Sequence, residues 1–308
     1  MAVGVPTEAS GLNHIKVNRK GPLAQLVERV ICNDEATGSN PVRSTSMNKP
    51  KAIFCWSGGK DSSYCLYKVL TEKLFEVKYL LTTVNDKFKR ISMHGVREEL
   101  LDHQAESIGI PLLKVRVTEG TNDEYEKQME AVLRKAKSEG INDVIFGDIF
   151  LEDLRAYREN NLTKIGMKGI FPLWKTDTAD LMNDFISRRF KAVVCCTDDG
   201  YLGEEWAGRE IDRSFIEQLP VNVDPCGENG EYHTFCYDGP LFKKKIVFTV
   251  GEKVYKPLEA KTGAVDALPA NVRTKGFWFC DLLPPPLRKP PVRTPLAVKD
   301  CALSSRDA

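Results

Sequence analysis

The chain has 308 residues, and its 44 Lys and Arg against 43 Asp and Glu leave a formal net charge of +1. A nearly neutral chain offers no electrostatic argument for sequence-independent binding to nucleic acid or to an anionic membrane. No apolar run approaches the roughly 20 residues of a transmembrane helix, and the first residues lack the basic-then-apolar order of a secretory signal. We therefore predict a cytoplasmic protein with no membrane partner and no strong nucleic-acid signal.

The nine cysteines are scattered, odd in number and without a Cys-x-x-Cys pair. In a long chain without a secretory signal, this usage is typical of reduced thiols. Most are expected to be buried as small apolar side chains. The alternative is a metal site formed by Cys226, His233 and Cys236.

The two ends of the chain do not have the pattern of a folded domain. Residues 1–47 lack sustained periodicity, and residues 21–29 resemble a peptide translated from the opposite strand of a tRNA gene. We interpret residues 1–47 as a non-globular leader and a gene-calling artefact, with Met47 as the natural start; a disordered arm is the alternative. Residues 263–308 are rich in proline, which favours extended conformations, and are predicted to form a mobile tail.

Strand-like and helix-like segments alternate between residues 48 and 149, the predicted first domain. In chain order the pattern indicates strand 52–56, helix 62–73, strand 77–84, helix 96–108, strand 112–117, helix 125–136 and strand 144–146. This alternation predicts an α/β fold with a doubly wound parallel sheet covered by helices on both faces.

A smaller α/β domain is predicted for residues 150–262. Its signals are an amphipathic helix beginning near Thr176 or Asp177, a strand over 192–196, and a Gly-rich charged stretch that leads to residues 224–233. We expect this domain to face the same cleft as the first.

Between the first predicted strand and helix lies the segment Ser57-Gly58-Gly59-Lys60-Asp61-Ser62. At that place in a parallel sheet, a helix N-terminus offers free N–H groups to a phosphate. The glycines allow the backbone to approach oxygen atoms closely, and the serines and Lys60 add donors. An aspartate fits beside phosphate if it holds Mg²⁺. A Gly-rich turn with Ser and Asp as helix caps is the alternative.

All six residues match the PP-loop, Ser-Gly-Gly-x-Asp-Ser, of the N-type ATP pyrophosphatases, whereas the Walker spacing is absent. The resemblance implies a Rossmann-like sheet of the adenine nucleotide alpha hydrolase type. It also implies ATP as substrate, cleaved between its α- and β-phosphates, with Lys60 and Asp61 in catalytic roles and Mg²⁺ at Asp61.

Three further segments make the resemblance more specific. They are Ser92-Met93-His94-Gly95-Val96-Arg97, residues 147–155, which begin Gly147-Asp148-Ile149, and residues 226–235, which contain Gly227-Glu228-Asn229-Gly230-Glu231 and Thr234-Phe235. With the PP-loop, they resemble the diphthine–ammonia ligase family across residues 48–250. The leader suggests a bacterial relative. The resemblance places Met93 and Gly147 at the nucleotide.

In that family ATP adenylates a carboxylate, and ammonia then attacks the acyl-adenylate. By resemblance, Glu228 and Glu231 bind ammonium, and Glu231 is a candidate base; two surface carboxylates are the alternative. Asp148 is a second metal ligand or a helix N-cap. Arg155 clamps a phosphate or carboxylate, or is solvated at the surface. His233 is expected to be a polar pocket residue.

The expected partners are ATP, ammonium and a carboxylate acceptor. Diphthine on elongation factor 2 is the acceptor only if the source is archaeal or eukaryotic. A homodimer is left open. Two other functions are considered: a PP-loop sulfurtransferase that modifies tRNA, and a non-catalytic nucleotide-binding module. The neutral composition and the adjacent Cys195 and Cys196, whose side chains would point to opposite faces of a strand, count against the sulfurtransferase.

Overall fold

A computed structural model describes residues 49–91, 94–118, 121–258 and 276–285. The predicted alternation of strands and helices is confirmed. The first part of the chain consists of β1 (Lys51–Cys55), α1 (Lys60–Glu72), β2 (Glu76–Asn85), β3 (Arg90–Ile91), α2 (Glu98–Ile108), β4 (Leu112–Val117), α3 (Asn122–Ser138), β5 (Asp143–Ile145), α4 (Glu152–Lys164) and β6 (Lys168–Ile170).

The first sheet has the order β4-β2-β1-β5-β6, and these strands are all parallel. The short β3 pairs antiparallel with the end of β2. From β1 the chain moves outward to β2 and β4, and it then returns to the other side of β1 with β5 and β6. The carboxyl ends of β1 and β5 therefore form the topological switch point, where open α/β sheets bind their ligands.

Successive β1 side chains point to opposite faces of this sheet. Because apolar side chains lie on both faces, helices cover both. Phe54 packs on the face covered by α1 and α2, where Leu66 and Leu101 are fully buried. Ile53 packs on the opposite face, against α3 and α4. The buried contacts there include Leu133 and Leu162. The predicted doubly wound architecture is confirmed.

The second sheet contains β7 (Lys191–Asp198), β8 (Tyr232–Asp238), β9 (Thr249–Pro257) and β10 (Gly276–Leu283) in the order β8-β7-β10-β9. Its strands pair antiparallel. Two helices accompany it, α5 (Thr178–Ser187) and α6 (Arg213–Gln218). Helix α5 begins after Asp177, whose side chain accepts a hydrogen bond from the Asp180 N–H, as one of the two predicted caps requires.

Two boundaries differ from the sequence-based division. Helix α4 and strand β6 lie within residues assigned to the second domain, yet β6 pairs with β5 in the first sheet. Residues 276–283, assigned to the Pro-rich tail, form β10 between β7 and β9. The leader, residues 1–47, lies outside the described residues. Within the described ranges, no helix combines the length and apolarity needed to cross a membrane.

Candidate active site

The six-residue PP-loop connects β1 to α1 at the switch point of the first sheet. Gly58 has φ +78°, and a Cβ added there would lie 2.7 Å from Gln104 Oε1. The position therefore requires glycine for two reasons, its backbone conformation and the close approach of Gln104. Helix α1 begins at Lys60, so its first N–H groups and the positive end of its dipole face the switch point.

The two serines of the loop stabilise its turn. Ser57 Oγ donates a hydrogen bond to Ser62 Oγ at 3.0 Å, and Ser62 Oγ also lies 3.0 Å from the Gly59 carbonyl oxygen, which accepts from it. The Gly59 N–H donates to Ser57 Oγ at 3.3 Å. The predicted serines thus act first on the loop itself, where they stabilise its conformation.

Strand β8 of the second sheet supports the loop from outside. Thr234 Oγ1 accepts a hydrogen bond from the Lys60 N–H at 3.0 Å, and the Cys236 N–H donates to the Gly58 carbonyl at 2.8 Å. A Cβ on Gly59 would lie 3.1 Å from the Thr234 carbonyl oxygen. The loop and β8 are therefore in direct contact, and the conformation of the loop depends on both sheets.

Gln104, which sequence reasoning missed, connects the same elements. Its side chain is fully buried. Its Nε2 donates to the carbonyl oxygens of Gly58 and Cys236 at 2.9 and 2.6 Å, and its Oε1 accepts from Trp56 Nε1 at 2.9 Å. One sequence signal existed: Gln104 is a polar residue on the otherwise apolar stripe of α2, which implies buried hydrogen-bond partners.

Lys60 is 1 % exposed and carries its charge inside the protein. Its Nζ lies 2.8 Å from both carboxylate oxygens of Asp61, donates to the Cys226 carbonyl, and sits 5.3 Å from the centroid of the Tyr232 ring. Burial disfavours the ammonium form, but Asp61 and the other partners outweigh it and raise the pKa of Lys60 above its ordinary value. Lys60 therefore stays cationic at neutral pH.

Three carboxylates surround this end of the cleft. Burial, with the charges of Asp61 and Asp148 nearby, raises the pKa of Glu228 to about 7. Burial likewise raises the pKa of Asp148, whose Oδ2 lies 3.2 Å from Arg158 Nε. Mutual repulsion of carboxylates is relieved by a cation placed among them. Within the described residues, however, no group of three or more His, Cys, Asp or Glu is arranged to hold a metal.

His94 and His233 stack beside the loop with ring centroids 4.6 Å apart and an interplanar angle of 23°. Desolvation, with a contribution from the neighbouring His233, lowers the pKa of His94 to about 3. Desolvation, with a contribution from Lys60, lowers the pKa of His233 to about 4. Both rings are therefore neutral at physiological pH, and His233 lines the cleft.

A continuous cleft of about 1090 Å³ extends from the PP-loop along the carboxyl ends of β1, β2 and β5. Gly147 lies at its floor, where an added Cβ would be 3.3 Å from Ser62 Cα. One section is mainly apolar and borders α3. It is lined by Leu81, Val117, Tyr125, Met129 and Leu133. The volume of the cleft and its combination of an apolar section with the polar PP-loop suit a nucleotide.

Comparison with known proteins agrees with this geometry. The profile of the diphthamide synthase N-terminal domain matches residues 50–169, and that of the diphthamide synthase C-terminal domain matches residues 177–264. The chain belongs to the diphthamide synthase family. The N-terminal match contains the PP-loop, and the C-terminal match contains residues 226–235. The first match ends within β6, which is also the last strand of the first sheet in chain order.

Curated relatives are named diphthine–ammonia ligase. The mouse protein is 28 % identical over 228 residues, covering 66 % of this chain and 85 % of its own length. The zebrafish protein is 27 % identical over 223 residues, covering 64 % and 86 %. The human protein is 26 % identical over 258 residues, covering 72 % and 97 %. These matches confirm the sequence-based assignment to this family of ATP-dependent ligases.

The diphthamide synthase assignment leaves the individual site residues to be judged by their positions. One cleft is lined by the PP-loop residues other than Gly58, together with Asp148, Glu228 and His233. Gly58 supports the loop from behind. Met93 lies outside the described residues. Asp148 does not cap α4, because that helix begins at Glu152 after Leu151.

Arg155 lies on the wrong side of α4 for the predicted anion clamp. Its Nε pairs with Glu159 at 2.9 Å, and its guanidinium lies over Phe171 and Trp174 at 4.7 and 4.6 Å, away from the residues that line the cleft. Arg158, three residues later, does line the cleft. The sequence shows two arginines on one helix, and only the rotational phase of α4 decides which of them faces the ligand.

Glu231 is fully buried and does not line the cleft. Its Oε1 accepts from the Asp224 N–H at 3.0 Å and from Asn229 Nδ2 at 2.9 Å, while its Oε2 accepts from the Asn229 N–H at 2.9 Å. These contacts close the loop that carries Glu228. The geometry supports a loop-stabilising role, and the catalytic role remains only a prediction.

Proposed function

We propose that this chain adenylates a substrate carboxylate with ATP, releases pyrophosphate, and transfers ammonia to the acyl group to form an amide. The observation that supports the proposal most strongly is the complete PP-loop at the switch point, held by β8 of the domain that carries the Glu228 loop. Its N–H groups and the α1 dipole suit the leaving pyrophosphate, and this charge stabilisation is commonly the largest catalytic contribution.

The donor set near Asp61 fits Mg²⁺ of the kind that binds with one or two carboxylates, water and substrate phosphates. Asp148 Oδ2 is buried without a hydrogen bond of good geometry, and Asp61, Asp148 and Glu228 line the same end of the cleft. Asp61 and Asp148 would hold the ion, which, when bound, neutralises charge on the phosphates. The Lys60 ammonium group lies 2.8 Å from both Asp61 oxygens.

For the second step, Glu228 is better placed than Glu231. Glu228 lines the cleft, and its pKa of about 7 allows a carboxylate to gain or lose a proton near neutral pH. We assign to it the ammonium-binding role that the family resemblance implied for both glutamates. Diphthine is the first acceptor to test, because the curated relatives bear its name; other carboxylates follow.

The sulfurtransferase alternative is not favoured by the cysteines of the described residues. Burial raises the pKa of Cys196 to about 12 and that of Cys195 and Cys226 well above its usual range. Sulfur transfer needs a thiolate at neutral pH, and such a thiolate is found in partly exposed, electropositive surroundings.

The test is product analysis with α-labelled ATP, ammonium, Mg²⁺ and candidate carboxylates. We expect AMP and pyrophosphate in equal amounts, with the amide formed only when ammonium is present. Asp61→Asn, assayed in parallel, should lower the rate on the order of 10²-fold and so show that the activity belongs to this site. ADP as the main product would refute the proposal.

A further inference from the structure

Arg158 is held in the cleft with part of its guanidinium group unengaged. Its Nε lies 3.2 Å from Asp148 Oδ2, and its Cζ lies 4.3 Å from the centroid of the Phe146 ring. The side chain is 26 % exposed. Across the part of the chain that the structure describes, neither Nη atom has a hydrogen-bond partner. A guanidinium fixed by one edge and one face is preorganised to bind an oxyanion bidentately.

The position of Arg158 within the cleft indicates which oxyanion it meets. Its guanidinium lies over the Phe146 ring and beside Asp148, the two residues that flank Gly147, and the Gly147 backbone lies against Ser62 of the PP-loop. Arg158 lines the same cleft as Tyr125 of α3. It therefore lies between the PP-loop and the apolar section of the cleft. In ATP, the α-phosphoryl group lies between the nucleoside and the pyrophosphate. A nucleotide with pyrophosphate on the PP-loop and adenosine in the apolar section brings its α-phosphoryl group past Arg158.

The charge balance of the cleft supports the same position. Lys60 is enclosed by Asp61, Tyr232 and the Cys226 carbonyl, so its charge is largely compensated. Lys164, another cation lining the cleft, donates to Asn161 Oδ1. Adenylation concentrates negative charge on the α-phosphoryl oxygens as the acceptor attacks. Arg158 can meet this charge without first breaking its contact with Asp148.

We propose that Arg158 binds the α-phosphoryl oxygens of the nucleotide and stabilises them during adenylation. The proposal rests on the proposed function for its catalytic consequence, but the binding site itself can be tested without turnover. AMP carries the α-phosphoryl group, whereas inorganic pyrophosphate does not. The two ligands therefore separate Arg158 from the PP-loop.

The experiment is calorimetric titration of the full chain with AMP, ATP and inorganic pyrophosphate. Arg158→Gln should weaken AMP and ATP binding by at least about tenfold and leave pyrophosphate binding within about twofold of the parent. Arg158→Lys keeps the charge but loses the bidentate fork, so its affinities for AMP and ATP should lie between those of the parent and those of Arg158→Gln. Retained pyrophosphate binding also shows that the variant is folded.

Arg188 provides a matched control outside the cleft. Its Nε donates to Asp184 Oδ2 at 2.7 Å, and its Cζ lies 5.6 Å from the centroid of the Tyr67 ring, so the contacts resemble those of Arg158. Arg188→Gln should leave the affinities for AMP and pyrophosphate unchanged. If Arg158→Gln destabilises the fold through the partly buried Asp148, the double variant Asp148→Asn/Arg158→Gln is titrated instead. It is compared with Asp148→Asn alone, because Asp148 is itself placed at the metal.

Two results would overturn the proposal: unchanged AMP affinity in Arg158→Gln, or equal losses of AMP and pyrophosphate affinity in a folded variant. Failure of the proposed function has a different signature, since the parent chain would then bind AMP but form no AMP and pyrophosphate from ATP with any carboxylate.

Discussion

At the scale of single residues, the buried carboxylate of Glu231 shows how the acceptor oxygens of one side chain can stabilise the conformation of a loop. Both of its oxygens accept hydrogen bonds, two of them from backbone N–H groups of residues 224 and 229. Glu231→Gln replaces one acceptor by an amide donor, so a donor must face a donor inside the protein. We expect a loss of about 1–3 kcal/mol in the free energy of unfolding, measured by denaturant titration.

The same variant distinguishes the two roles considered for Glu231. As a loop-stabilising residue it should impair both acceptor-dependent exchange of labelled pyrophosphate into ATP and amide formation. Glu228→Gln is the matched control for stability and should change the free energy of unfolding much less, because Glu228 lies at the cleft. Normal exchange combined with lost amide formation in Glu231→Gln would restore the catalytic role predicted from the sequence.

The stacked pair of His94 and His233 makes stability dependent on pH. Their native pKa values of about 3 and 4 lie below the ordinary value of 6.5, so below pH 6.5 the unfolded chain binds protons that the native protein excludes. This contribution is fully present above pH 6.5 and is lost as the pH falls towards 3. We expect about 1–3 kcal/mol per pH unit between pH 6 and 4.

Denaturant titrations across this pH range compare the parent with a His94→Gln/His233→Gln variant. The contributions of the carboxylates largely cancel in the difference between their free energies of unfolding. His103→Gln, a histidine outside the stacked pair, serves as control and should follow the parent. A double variant whose stability falls with acid as steeply as that of the parent would contradict the assignment.

At the scale of elements, the PP-loop depends on α2 and β8 as much as on its own residues. Gly58→Ala forces a side chain into the left-handed region and within 2.7 Å of Gln104 Oε1. Gly140 has a similar φ of +80°, but nothing lies within 4 Å of its added Cβ. Gly140→Ala should therefore cost about 1 kcal/mol for backbone strain alone.

Gly58→Ala should cost more and should also weaken pyrophosphate binding by at least about tenfold, because Gln104 can yield only by releasing the loop or β8. Unfolding and pyrophosphate titration of the two variants give the comparison. Equal stability losses with unchanged pyrophosphate affinity would show that the contact with Gln104 is unimportant.

Local patterns explain which of these features could be predicted. The strands of the first sheet are short apolar runs, and the PP-loop motif lies within six consecutive residues, so each signal is contained in a small window. The orientation of Arg155 and Arg158 depends on the rotational phase of α4, which is weakly amphipathic. The hydrogen-bond partners of Gln104 are distant in the chain, whereas those of Glu231 lie in its own tight loop. No pattern of residue types encodes either set of contacts.

At the scale of the whole molecule, β10 shows that the folded part extends beyond the predicted limit at residue 262. It lies between β7 and β9, and its Asp281 pairs with Arg90 and Arg97 at 2.9 and 2.6 Å. Although burial acts in the other direction, Arg97 and Arg90 lower the pKa of Asp281 to about 2. The sequence of β10 predicts a tail because prolines follow it directly, and its partner strands are distant in the chain.

Truncation after residue 262 should therefore destabilise the protein. It exposes the surfaces that bury Cys280 and Leu282, and the lost apolar burial alone corresponds to about 3–6 kcal/mol. Thermal unfolding of this truncation is compared with that of the full chain and of a control truncated after residue 285, which keeps β10 and should resemble the full chain. Equal stability of both truncations would mean that β10 contributes little.

The contact between Thr234 and the Lys60 N–H also has a consequence for synthesis on the ribosome. The partners are 174 residues apart, so the loop is made long before the strand that supports it. At typical rates of translation the interval is roughly 10–35 s. We expect a nascent chain to remain unable to retain ATP until β8 has left the exit tunnel. Ribosome-bound chains stalled before and after that point should differ in retained nucleotide, and equal retention would show that the loop matures alone.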